Sequence, residues 1–325
     1  MASWKPFHFI CKIKSMGQTI ATIFKKLFQK SVSYFARKTF RLWQTLGLHV
    51  VPNHFYEPIP DTRTLSDNLW KKHSVLVGLD MNEQQQLKLL KEFTARFKTE
   101  YDQFPLSQSS QPYQYYVNNR MYESVDGEIL YCMVRYFKPK KIIEIGAGYS
   151  TYATAQAIRK NKTENEANAC EFITIDPFPN DTVCKGFPGL SKLLTQPVQN
   201  IPISKFKELS ENDILNIDSS HVIKIGNDVH YIFLEILPQL NKGVIVGFHD
   251  IFLPAEYPKE WLLKCHRFWN EQYLLQTFLM FNDSWKVLWA NSFMHLNHPQ
   301  ELKNAFNSYD QYQRNPGSFW IRRFR

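Results

Sequence analysis

The sequence predicts an α/β chain built on a parallel sheet with helices over both faces. Three observations lead there. Short apolar runs of strand length recur at residues 141–145, 171–175, 213–217, 244–248, 285–289 and 319–323. Helical stretches lie between most of them, notably 150–159, 221–237 and 258–281. The runs are apolar throughout rather than alternating, as strands buried on both faces are. The first run also ends in an acid and two glycines one residue apart, IIEIGAGYST at 142–151, which is a turn of the kind that opens a ligand-binding sheet edge.

The chain has 325 residues, enough for one large α/β domain whose core needs no staples. Five cysteines without C-x-x-C spacing read as reduced thiols in a cytoplasmic protein and form no zinc or disulfide pattern. The net charge of +9 is concentrated at one end: residues 1–50 hold nine basic side chains and no acid, and the rest of the chain is neutral. A nucleic-acid enzyme would carry its positive charge around its cleft, so no nucleic-acid partner is expected.

Along the chain, residues 1–50 read as a basic amphipathic segment. Met16, Ile20, Ile23, Phe24, Leu27, Phe28, Phe35, Leu42 and Leu46 recur at helical spacing among lysines and arginines. No apolar stretch approaches the roughly 20 residues that cross a bilayer. Three readings stay open for residues 1–47: contact with an anionic membrane surface, packing on protein, or a targeting segment. Residues 51–118 form a connector and helical lead-in. Three prolines mark 51–64 as extended, a helix is expected at 82–101, and the polar 102–118 reads as loop. Residues 119–325 form the main domain. It opens with a helix that Pro139 stops, and the polar insert 161–169 is expected to be an exposed turn.

In the turn after the first strand, Gly146 and Gly148 allow a sharp bend, and Ser150 or Thr151 can open the next helix with free amides. A dinucleotide site would want a third glycine where Thr151 stands, and no phosphate-loop G-K-[ST] is present. Glu144 would repel a pyrophosphate but suits a cationic ligand such as S-adenosylmethionine. Asp176, ending the next strand in FITIDPFP, can accept both hydroxyls of a ribose. Two further strand ends, IDSSH and FHD, bring Asp218, His221, His249 and Asp250 to the same edge. Such a set can hold a divalent cation on Asp218 and Asp250 and orient a hydroxyl, or use a histidine as base. Helix capping by Asp218 and loop bracing by Asp250 are the plainer alternatives.

With those residues in place, region 115–290 resembles the class I S-adenosylmethionine-dependent methyltransferases. The likeness is to a bacterial branch near the sugar, macrolide and catechol-type O-methyltransferases. It is carried by KKIIEIGAGYSTYATAQAI, FITIDPFP, NIDSSHVIKIGNDVHY and GVIVGFHDIFLPAEYPKEW. The resemblance implies a doubly wound, Rossmann-like sheet of seven strands with the last antiparallel, here with an N-terminal helical extension. By it Glu144, Gly146 and Gly148 match the cofactor turn and Asp176 the ribose-binding acid; Ser150, Thr151 and Asp218 are further cofactor-binding candidates from their places at the turn and the strand end. Asp218 and Asp250 match a site for Mg²⁺ or another divalent cation, and His221 matches a base; Asp218 and His249 are further catalytic candidates at the same edge, although His249 stands where catechol-type enzymes have other residues. Ser150 stands where many members carry a third glycine, and Ile251 where catechol-type enzymes have Asn. The absence of a DPPY or NPPY tetrapeptide counts against methylation of DNA bases.

The implied function is methyl transfer to a hydroxyl of a small-molecule or glycan-like acceptor. A catalytically inactive methyltransferase-like scaffold is the alternative, and self-association into a homo-oligomer is left open. The segment QPYQYYVNNRMY (111–122) is expected to close over the acceptor through Tyr115, Tyr116 and Asn119, or else to pack as core. For the aromatic residues of 252–273, pocket wall and ordinary core remain equal readings.

Overall fold

In the computed structural model, which describes residues 24–25 and 27–325, all six expected strands form. They are β1 (Lys141–Ile145), β2 (Glu171–Ile175), β4 (Ile214–Ile217), β5 (Ile245–Phe248), β6 (Trp285–Ala290) and β7 (Phe319–Arg323). A seventh, β3 (Lys192–Leu194), adds one edge. With only three residues, KLL, it was too short to show any periodicity. The order is β3-β2-β1-β4-β5-β7-β6, and β7 runs antiparallel to both of its neighbours. The chain winds outward from β1 to β3, then crosses back to place β4 beside β1. The point where the winding reverses lies between β1 and β4, and a crevice opens there at the C-terminal strand ends.

Successive residues on each strand serve opposite cores. Ile142, Ile214, Ile245 and Trp320 face one layer with helices α1 (Glu83–Tyr101), α2 (Asp126–Phe137) and α3 (Tyr149–Glu164). Ile143, Leu215, Val246 and Ile321 face the other, with α4 (Asp228–Tyr231), the π-turn Ile232–Ile236 that continues it, and α6 (Glu271–Leu279). Both faces are therefore apolar, which is why the strand sequences do not alternate.

Three helical expectations are corrected. The stretch 221–237 starts as a loop. Gly226 turns left-handed (φ 71°), and the α4 start at Asp228 is capped by Asn227, whose side chain accepts from the His230 amide. The stretch 258–281 divides into α5 (Lys259–Leu263) and α6, because the amides of Asn270 and Glu271 donate to the carbonyl of His221. The insert 161–169 is not all exposed turn: α3 runs to Glu164, and Asn161 is buried beneath it.

Asn161 belongs to a buried ion network. The guanidinium of Arg135 on α2 donates to Glu100 of α1 at 2.8 and 2.9 Å, and to Asn161 and Glu164 of α3. One side chain thus ties three helices on the same face of the sheet. The N-terminal unit, which ends at Ser66, is separate from the unit Asp67–Arg325. Within it residues 27–38 and Phe40–Thr45 are helical. The remainder of the expected amphipathic segment, residues 1–23 and Lys26, lies outside the described residues. Among the described residues no helix is long and apolar enough to cross a membrane.

Removing the hub of the network should be costly. Arg135→Ala strands two carboxylates and should destabilise the fold by about 3–5 kcal/mol, the scale for breaking a buried pair. Glu164→Gln, at the half-exposed end, should cost less than about 1 kcal/mol. Urea denaturation of both variants checks the contrast.

Candidate active site

The register of the parallel strands assembles the site. Ile145 of β1 pairs with Ile175 of β2 and Ile217 of β4, and Ile217 pairs with Phe248 of β5. The next residue on each strand therefore falls in one row: Gly146, Asp176, Asp218 and His249. Their amides continue the ladder for one more rung, with Asp218 N donating to Ile145 O at 2.8 Å and His249 N to Ile217 O at 2.9 Å. A cleft of about 370 Å³ opens above this row, and Gly146, Ala147, Asp176, Asp218, His249 and Asp250 all line it.

On the β1 side, Gly146 is left-handed (φ 86°), and an added Cβ would lie 2.2 Å from the carbonyl oxygen of Asp218. Only glycine lets β1 and β4 close at this point. Gly148, by contrast, faces open space. Glu144 was expected to meet the ligand, but it lies beneath the turn, fully buried and outside the cleft lining. It accepts from the Thr151 hydroxyl at 2.6 Å and from the Asn216 amide at 3.2 Å. The same hydroxyl accepts from the Gly148 amide at 2.9 Å. Thr151, where a dinucleotide site would have glycine, thus ties the turn to the strand. Ser150 is buried with it and does not line the cleft. Burial raises the Glu144 carboxyl to about 7 against these hydrogen bonds. Asp176 lines the cleft while accepting from the amides of Ala147 (2.9 Å) and Phe178 (2.6 Å).

On the β4–β5 side two imidazoles sit among carboxylates. His221 Nε2 lies 3.3 Å from Asp218 Oδ1 and 3.5 Å from Asp250 Oδ2, and its Nδ1 lies 3.0 Å from Glu271 Oε2. His249 Nδ1 lies 3.4 Å from Asp218 Oδ1 and 3.6 Å from Asp250 Oδ2, buried and without an aligned hydrogen bond. Its Nε2 faces Asp126 at 3.8 Å. Burial opposes charge on both rings, but the carboxylates outweigh it. Asp218 and Glu271 raise His221 to about 10, and Asp250 and Asp218 hold His249 well above its ordinary value. Asp250 moves the other way from Asp218: burial raises it, whereas the two imidazoles hold Asp218 below the usual carboxylate range in spite of burial. His221 and Asp250 also have left-handed backbones, φ 59° and 58°, a local strain that the surrounding bonds sustain.

Ligand atoms of Asp218, His221 and Asp250 lie within 4.8 Å of one another. Two carboxylate oxygens and one imidazole nitrogen suit a hard or borderline divalent cation. Asp218 caps no helix, since the helix after it begins at Asp228 with its own cap.

Several functional side chains were not legible beforehand. Glu271, 1% exposed, reads in sequence as an ordinary helix-start acid, and only the fold brings it to His221. Asp126, at the start of α2, is buried against the amides of Gly317 and Ser318 and the side chain of Asn291. In 111–122 the expected contacts turn inward. Tyr115 is fully buried and donates to Tyr122 O, and Asn119 braces the backbone of the same turn. Tyr116 bonds the Tyr149 hydroxyl at 3.0 Å. The cleft is lined instead by Arg120, Met121, Glu123 and Ser124. Of the aromatic residues in 252–273, Trp261 and Trp269 line it, whereas Phe252 and Tyr257 are core.

Residues 143–251, from β1 through the end of β5, match the profile of a family described as "Methyltransferase domain". Those residues, about a third of the chain, carry a methyltransferase domain. An uncharacterized protein of Archaeoglobus fulgidus is 28% identical over 202 residues, which cover 60% of this chain and 89% of that one. Among solved structures, a methyltransferase of Podospora anserina bound to S-adenosylhomocysteine is 17% identical, covering 74% of this chain and 88% of its own, with a TM-score of 0.35. An O-methyltransferase from Bacillus cereus is 10% identical, covering 73% and 91%, also at 0.35. At such scores these two likenesses carry no argument about the reaction of this chain.

The buried Glu144 has a signature in pH. Its folded value of about 7 exceeds its ordinary 4.5, so the folded state holds a proton that the unfolded state has lost, and stability falls as pH rises through that window. Glu144→Gln removes the burden, and its stability relative to the parent should rise between pH 5 and pH 8 by an amount of order 3 kcal/mol, at about 1.36 kcal/mol per unit. Parallel urea titrations at the two pH values provide the check.

Proposed function

We propose that this methyltransferase transfers the methyl group of S-adenosylmethionine to a hydroxyl of a small-molecule or glycan-like acceptor. The observation that carries the reading is one cleft in which Asp176 and the Gly146–Ala147 turn adjoin Asp218, His221, His249 and Asp250. Asp176 takes the ribose hydroxyls, and Glu144 acts from below by holding Thr151 and the turn in place. In the transfer the acceptor oxygen forms a bond to the methyl carbon as the carbon–sulfur bond breaks. The sulfur leaves as a neutral thioether, so no acid is needed on that side. A divalent cation on Asp218, Asp250 and His221 would acidify the hydroxyl when bound.

The residues themselves align the oxygen and receive its proton. Without the cation, Asp218 and Glu271 raise His221 to about 10, so it is an imidazolium at neutral pH that faces Asp218 and does not act as base. Asp250, whose proton affinity burial raises, is the group placed to accept the proton. Glu271 holds His221 in orientation from the far side of the ring.

Asp218→Asn and Asp250→Asn should each lower turnover more than tenfold with a smaller effect on affinity for S-adenosylhomocysteine. Calorimetric titration should give binding of S-adenosylhomocysteine and none of NAD; binding of neither would favour the inactive scaffold. The pH–rate profile distinguishes the bases. With Asp250 as acceptor the rate should level by neutral pH, whereas a rate that climbs to about pH 10 would assign the proton to His221.

The basic N-terminal segment supports a second part of the proposal, peripheral contact with an anionic membrane surface. Phe24, Leu27, Phe28, Val32 and Phe35 recur at spacings of one, three and four residues and are all exposed, with Lys25, Lys30, Arg37, Lys38 and Arg41 among them. That pattern suits a helix lying at a lipid headgroup boundary. Deletion of residues 1–46 should abolish co-sedimentation with anionic liposomes, and high salt should weaken it in the full chain. Retained sedimentation after the deletion would end the membrane reading.

A further inference from the structure

On the rim of the cleft lies a group of side chains that the transfer itself does not use. The loop between α5 and α6 folds so that the Arg267 guanidinium sits 4.8 Å from the ring centre of Trp261 and 5.0 Å from that of Trp269. The two indoles meet edge to face at 78° and leave the charged group exposed. Trp269 also lies against His221, with ring centres 4.3 Å apart. One aromatic ring therefore separates a fixed guanidinium from the reacting cluster. Arg120, exposed and left-handed (φ 66°), lines the same cleft.

Neighbouring cations have acid partners: Lys259 has Asp67, Lys264 has Glu260 and Arg314 has Glu123. Among the described residues the guanidinium groups of Arg267 and Arg120 have no ion pair, although the Arg120 backbone amide donates to Glu123 at 3.2 Å. Contact with both indoles holds the guanidinium at the rim while Arg267 stays exposed, and a guanidinium matches a phosphate or carboxylate with two parallel hydrogen bonds. The floor of the same cleft carries Asp126, Asp176, Asp218 and Asp250. An anion is repelled from that floor and drawn to the rim, so the charge pattern would orient an acceptor as well as bind it.

We infer that Arg267, held against Trp261 and Trp269 and assisted by Arg120, binds an anionic substituent of the acceptor. The acceptor class is a ring-bearing molecule with a phosphate or carboxylate at one end and the methylated hydroxyl at the other. This rests on the methyl-transfer reading and narrows its substrate. The anion occupies the rim, the ring lies along Trp269, and the hydroxyl reaches Asp218 and Asp250.

Calorimetric titration of the full chain saturated with S-adenosylhomocysteine tests this, using glucose 1-phosphate, glucuronate and neutral glucose as probes. At least one anionic probe should bind more than tenfold tighter than glucose, and which one does so distinguishes phosphate from carboxylate recognition. Arg267→Ala should remove most of that preference, and Arg267→Lys should restore only part of it, because lysine keeps the charge but loses the fork and the stacking. Both variants should bind S-adenosylhomocysteine like the parent. Equal binding of all three probes, or a preference that survives in Arg267→Ala, would overturn the inference. Failure of S-adenosylhomocysteine itself to bind would instead count against methyl transfer, and the same titration without it would still report on Arg267.

Discussion

The in-register pairing of β1, β2, β4 and β5 is the constraint on which the rest of the molecule depends. Because Ile145, Ile175, Ile217 and Phe248 stand in one rank, Gly146, Asp176, Asp218 and His249 follow in the next. A slip of one residue on any strand would turn its acid or histidine into the apolar layer. The strands are held from slipping by burial on both faces and, at the β1–β4 seam, by the close approach of Gly146 to the Asp218 carbonyl. The cleft is thus a consequence of sheet register, with loops adding only its rim.

That register brings like charges together, and the structure answers with counter-charges. Four carboxylates, Asp126, Asp218, Asp250 and Glu271, surround the rings of His221 and His249. Leaving so many acids in a low-dielectric site is tolerable only if protons or cations enter with them. The imidazoles take the protons, which explains why both rise above their ordinary values although burial works against them. Binding a divalent cation at the same atoms would displace protons and return the rings to neutrality. Ion occupancy and imidazole charge are therefore linked states of one cluster.

The breaks in the two long helical stretches belong to the same economy. Had 221–237 and 258–281 been continuous, His221 would have turned with its helix, and Glu271 would have pointed from the middle of another. Instead the carbonyl of His221 receives the amides of Asn270 and Glu271. This contact begins α6 and places the Glu271 carboxylate at the ring. It also frees α5 with Trp261, and the loop after it with Arg267 and Trp269, to stand over the site. Local helix propensity yields here to a contact between segments some fifty residues apart.

The sequence by itself determined the strands, the parallel sheet and the strand-end acids. Those depend on runs of adjacent residues whose apolar character and end points are read directly, as IIEIGAG, FITID, NIDSSH and GFHD illustrate. It also marked Gly146 as a turn residue and Asp176, Asp218, His221, His249 and Asp250 as neighbours at one edge. Only the tertiary structure decided that Glu144 is buried under the turn and outside the cleft lining, that Tyr115 is core while Trp269 is wall, and that Asp126 and Glu271 belong to the cluster. The physical reason is distance along the chain. Burial, ion pairing and stacking act between side chains that folding brings together, and no local period records which acid will face which ring. The short β3 and the helix through Asn161 escaped for the same reason: a neighbouring strand holds the first, and the guanidinium of Arg135 holds the second.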